Sequence, residues 1–158
     1  VVEGGAHYME LWEKVNGKWR PGYRIDAPSM KAIRQFLASS SSWNLASYIR
    51  LNHEQFHEKS NRTFNYFMGG ALSHFLLHYQ GGIYREDYIQ LLRAYYEGEM
   101  KEDSLPDYIH VEGASTPQET IATLEKQFRE YMRDLKRPGE ISEEDLREAD
   151  AEVETASG

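Results

Sequence analysis

The stretch from Thr63 to Tyr79 constrains the fold more than any other part of the chain. Its apolar residues Tyr66, Phe67, Ala71, Leu72, Phe75, Leu76 and Tyr79 recur at helical spacing, and Gly81-Gly82 supplies a stop. Other segments carry the same period. Pro28 suits a first helical turn, with Met30, Ile33, Phe36 and Leu37 on the inner face, and Ser39 to Ser42 break that helix. Tyr84 to Tyr96 repeats the pattern through Tyr88, Leu91, Leu92 and Tyr95, and ends at Gly98. The chain therefore reads as mainly α.

The last helix has the clearest start. Thr116-Pro117-Gln118-Glu119 is a capping box with proline in the first turn, and Ile121, Leu124, Phe128, Tyr131 and Leu135 mark the stripe expected to be buried. Leu45 to Phe56 is a shorter apolar segment, and a polar loop carries Pro106 and Gly113. Near the start, Glu3 to Val15 has Tyr8, Leu11, Trp12 and Val15 at helical spacing. Asn16-Gly17 is then a tight-turn signal that places a small hairpin near residues 14–20. There is no internal repeat.

Charge is uneven. The net charge is −8, yet residues 138–158 hold eight acids against the single Arg147, which leaves residues 1–137 near −1. That acidic tail has almost no large apolar residues to bury and is expected to be disordered, with one domain over residues 1–137. No cluster of lysine and arginine suggests nucleic acid as a partner. Cysteine is absent, which excludes disulfides and thiolate metal sites and suits a cytoplasmic or an envelope protein equally. No apolar run reaches the ~20 residues of a membrane span. Asn61-Arg62-Thr63 fits the glycosylation triplet, a pattern common by chance.

Two places suggest metal chemistry. His53-Glu54-Gln55-Phe56-His57 satisfies H-E-x-x-H, in which two histidines one helical turn apart bind zinc and the glutamate activates water. Its context opposes a dry ligand face, because Glu58, Lys59, Ser60, Asn61 and Arg62 follow at once. The expectation is an exposed loop ending in a Phe56 anchor. His74 and His78 also stand one helical turn apart, with Phe75, Leu76 and Leu77 between them, and suit packing better than ligation.

The second place is Glu3-Gly4-Gly5-Ala6, where small residues leave the Glu3 carboxylate uncovered. Some sixty residues later Tyr66-Phe67-Met68-Gly69 opens the apolar helix. In order and spacing the pair resembles gluzincin zinc peptidases, aminopeptidase-like ones above all, and bacterial peptidases of unassigned function built on the same core. In those families an E-G-x-A helix gives the third zinc ligand, and a Y-x-x-G tyrosine supports the tetrahedral oxyanion. The resemblance covers most of residues 1–135, including the helix, Gly-Gly, helix run from Leu72 to Tyr88 and Leu124 to Tyr131 in the last helix.

The resemblance implies the helical C-terminal lobe of a zincin-like, thermolysin-like domain that hydrolyses peptide bonds by zinc-activated water. Glu3 would be a zinc ligand, Tyr66 the oxyanion donor, and Glu10 would lie behind the ligands or near a substrate amine. The partner would be a peptide or protein substrate, and a secreted or cell-envelope setting is favoured over a cytoplasmic one. His7 departs from the family pattern, because some gluzincins place an acid there to brace a ligand histidine. The family's own H-E-x-x-H is expected upstream of Val1, so these residues alone should be inactive and bind zinc weakly or not at all. Two alternatives stay open. One is a non-catalytic helical interaction module in which Glu3 and Tyr66 are structural. The other is a self-contained zincin built on His53, Glu54 and His57.

Overall fold

In the computed structural model, residues 13–20, 28–99 and 105–135 are described. The expected first helix up to Trp12, with Glu3, His7 and Glu10, and the acidic tail lie outside the described residues. Strands β1 (Glu13–Val15) and β2 (Lys18–Arg20) pair antiparallel, with Lys14 opposite Trp19. The turn between them is Asn16-Gly17, with φ of 51° and 82°. Positive φ at both central positions is what a tight hairpin matching strand twist requires, and Asn-Gly supplies it cheaply.

The remainder is helical: α1 (Pro28–Ser39), α2 (Leu45–Ile49), α3 (His53–Phe56), α4 (Arg62–His78), α5 (Arg85–Tyr96), α6 (Leu105–Tyr108) and α7 (Pro117–Asp134). Helix α4 is the hub, in contact with α1, α5 and α7. Met68, Ala71, Leu72, Phe75 and Leu76 on α4 are buried with Met30 and Ile33 of α1, Tyr88 and Leu91 of α5, and Leu124, Phe128 and Met132 of α7. At ~25 cal/mol per Å2 of apolar surface, burying each large side chain contributes about 1.5–3 kcal/mol, which makes this the principal source of stability. The mainly α expectation and the hairpin are both seen.

Boundaries differ in three places. The single segment expected from Leu45 to Phe56 is two helices, because Asn44 caps α2 through Ser47 N–H and Asn52 restarts the chain as the cap of α3. The expected polar loop after Gly98 contains α6, whose Leu105 is buried with the following Ile109 and Val111. On α7 the capping box is present as expected, but the buried stripe is Thr120, Leu124, Phe128 and Met132, with Ile121, Tyr131 and Leu135 half-covered at its flank.

The turns between helices are tied by side chains. Arg129 of α7 donates to the carbonyls of Leu37 and Ser40 at the end of α1 and of Trp43 before α2, and its guanidinium stacks over the Trp43 ring. Glu125 accepts from Leu45 N–H at the start of α2 at 2.8 Å and pairs with Arg129. One ion pair thus satisfies orphan carbonyls at one helix end and an orphan amide at the next start.

At the other end of α4, Gln80, Gly81 and Gly82 all have positive φ, and Arg85 Nε donates to Leu77 O across the break. Gly82 is held at φ 93°, a conformation that favours glycine, and a Cβ there would sit 2.6 Å from the Arg85 guanidinium, which would have to move aside.

Candidate functional site

Tyr66 lies in the second turn of α4, one residue after a buried asparagine that holds it in place. The Asn65 side-chain amide donates to Phe56 O at 3.0 Å, and Asn65 O accepts from the Tyr48 hydroxyl at 2.7 Å. Helices α2, α3 and α4 are pinned together at this one residue. The side-chain amide donates to one helix while the backbone carbonyl of the same residue accepts from another, and buried polar groups paired in this way fix geometry. Residue 66 is thereby turned to the flank of the core, half-buried, while Met68 and Gly69 point inward.

The Tyr66 ring packs edge-on against Phe56, with centroids 5.1 Å apart, and at 5.8 Å from His57. His57 in turn lies 4.3 Å from His53, centroid to centroid. The exposed loop expected at His53 to His57 is instead one helical turn. Asn52 Oδ1 accepts from Gln55 N–H at 2.8 Å while Gln55 Oε1 accepts from Asn52 N–H at 3.1 Å, a reciprocal cap that the polar sequence concealed. The expected Phe56 anchor is present, with only 6% of its surface exposed. Helix α3 stops at His57, its C-cap, so the H-E-x-x-H string does not run inside a longer helix. Glu54 is exposed on the same turn.

The structure therefore brings Tyr66 together with His53 and His57, residues that belong to separate readings of the sequence. Glu3 and Glu10 lie outside the described residues. Among the described residues, no three His, Cys, Asp or Glu side chains gather in a group that could hold a metal ion. The donor set described here does not by itself make a catalytic zinc site, which needs three protein ligands and an open position.

The second histidine pair is of another kind. His74 is 3% exposed, and its Nδ1 shares a 2.7 Å hydrogen bond with the Tyr131 hydroxyl of α7. His78 stacks at 4.8 Å from it and is partly covered. Burial pushes His74 down to about 3, with the neighbouring His78 adding to it, and pushes His78 down to about 4, with Arg85 contributing. Both are neutral at pH 7, and His74 joins α4 to α7.

The other phenols near the core are occupied in packing. Tyr88 shares a 2.7 Å hydrogen bond with Ser73 and is pushed up to about 12 by burial, and Tyr84 donates to Gln127 at 2.7 Å and is also raised by burial.

Sequence reasoning did not single out Asn65. Its signal was an amide on the inner face of an apolar helix, in line with Met68, Leu72 and Leu76. No family model, curated protein or solved structure matches the chain. No helix among the described residues is long and apolar enough to cross a membrane.

Proposed function

We propose that the chain is the helical lobe of a gluzincin-type zinc peptidase in which Tyr66 donates a hydrogen bond to the oxyanion formed at the scissile carbonyl. The observation that carries this reading is the setting of Tyr66: half-buried at the edge of α4, beside Asn65, whose side chain and backbone carbonyl tie α4 to α3 and α2. A donor that is fixed before reaction stabilises developing charge without reorganisation, and one such group is worth ~3 kcal/mol of barrier. Phe56 and His57 wall the ring and limit its sway.

Glu3 is the proposed third zinc ligand, with Glu10 behind it. When bound, zinc supplies Lewis-acid polarisation and lowers the pKa of water. On this reading the paired histidines and the general base come from a segment carrying H-E-x-x-H that is not among these 158 residues.

The test starts with the DNA encoding the region ahead of Val1. It should specify H-E-x-x-H within a few tens of residues, and a region lacking it removes the proposal. The protein including that segment should bind one zinc and hydrolyse peptides. Glu3→Gln should lose the metal, and full zinc occupancy in that variant would contradict the assignment.

A second reading, a helical interaction module without catalysis, is favoured by the exposed Tyr95 and Tyr96 at the end of α5, whose rings meet edge to face at 5.5 Å. It predicts that substitution of Tyr66 leaves function intact, whereas Tyr95→Ser with Tyr96→Ser removes partner binding.

A further inference from the structure

We propose that His53 and His57 form a two-imidazole site for a divalent transition ion, Cu2+ before Ni2+ or Zn2+, that does not draw on Glu3 as a ligand and has no catalytic role. Three observations place it. Residues one helical turn apart share a face, and here the two rings lie 4.3 Å apart, close enough for a modest rotation to aim both at one ion. The turn that carries them is fixed at both ends, by the Asn52–Gln55 reciprocal cap and by the buried Phe56 held under Asn65, so the pair is organised before the ion arrives. And the pair stands at the surface, with His53 exposed and His57 half-buried, where water can complete the coordination shell.

The chemistry selects the ion. Neutral imidazole suits Cu, Ni and Zn, and among the described residues no third His, Cys, Asp or Glu groups with the pair to impose another geometry, so the affinity order is the intrinsic one, in which Cu2+ leads. Two nitrogens in a plane with water match the tetragonal preference of Cu2+ better than the closed tetrahedron of structural zinc. His74 and His78 have the same spacing but no such access, since the core covers His74. His110 stands alone with Asp87, to which its Nδ1 lies at 3.1 Å.

The experiment is a calorimetric titration of the full 158-residue chain with Cu2+ at neutral pH, together with electron paramagnetic resonance of the 1:1 complex. The expected result is one dominant site with hyperfine coupling to two imidazole nitrogens. His53→Gln and His57→Gln should each weaken binding at least tenfold, and the double variant should abolish the site. Circular dichroism should show the fold retained, because neither side chain carries the core. His7→Gln, His110→Gln and Glu3→Gln should leave binding unchanged. Retention of the dominant site in the double histidine variant overturns the proposal. Loss of it in Glu3→Gln overturns the claim that the site does not draw on Glu3, while leaving the zinc-ligand role of Glu3 to be judged on its own.

Discussion

Two histidine pairs at the same spacing, each beside a tyrosine, do opposite things in this molecule. His74 and His78 sit midway to the end of a long apolar helix, and the first is sealed against Tyr131 of α7. His53 and His57 sit on a single capped turn at the surface, beside Tyr66. The spacing is shared; the surroundings decide. Where a helix is apolar on nearly every side, an imidazole becomes a neutral packing group that contributes one hydrogen bond. Where the helix lasts one turn and its neighbours are charged, the same pair stands at the surface, His53 exposed and His57 half-buried against Phe56 and Tyr66.

The comparison breaks most directly on acidification. In the unfolded chain a histidine takes up a proton near pH 6.5. The folded protein resists that uptake at His74 and His78 until about pH 3 and pH 4. The unfolded state therefore binds more protons below pH 6.5, and the stability present above that pH is lost as pH falls toward 4. By pH 5, still above both folded values, the loss should be about 2 kcal/mol for His74 and similar for His78; the two separate only below pH 4, where His78 takes up its proton and His74 does not. Urea unfolding at pH 7 and pH 5, with and without His74→Gln, measures it. A variant as acid-sensitive as the parent would place the effect elsewhere.

Direct substitution gives the next largest contrast. His74→Ala removes a buried ring and leaves the Tyr131 hydroxyl without its partner, so it should destabilise by about 2–4 kcal/mol. His53→Ala, at the surface, should stay within about 0.5 kcal/mol. Equal effects would erase the distinction between the two pairs.

Smaller effects sharpen how each region is held. Gly82→Ala, next to the buried pair, forces a side chain into positive φ and against Arg85, and should cost about 1–2 kcal/mol. Asn52→Ala removes the cap of the exposed turn and should cost about 1 kcal/mol, with the change in amide protection confined to α3 and its neighbours.

Much of the fold was legible because local signals and burial agreed. Thr116 to Glu119 announced α7, Asn16-Gly17 announced the hairpin, and the apolar period of residues 63–79 announced α4. The register of the α7 stripe was less legible. Met132 continues the i, i+4 line of Thr120, Leu124 and Phe128 into the core, while Tyr131 lies at its flank with its hydroxyl on His74. Helices α3 and α6 escaped notice because one-turn helices carry no period to detect, and Asn52, the cap of α3, looks like a loop residue. Of the candidate site, Tyr66 was legible from its motif. Its support by Asn65, Tyr48 and Phe56 was not, since those contacts join three helices whose packing no single segment encodes. Arg129 was hidden for the same reason: its partners are carbonyls nearly ninety positions away in sequence.

The Tyr66 hydroxyl carries the proposed chemistry. In the protein that includes the H-E-x-x-H segment, steady-state peptide hydrolysis by Tyr66→Phe should show kcat reduced roughly a hundredfold or more, with zinc content and KM little changed. An unchanged kcat in a folded, zinc-loaded Tyr66→Phe protein would contradict the assignment of Tyr66 as the oxyanion donor.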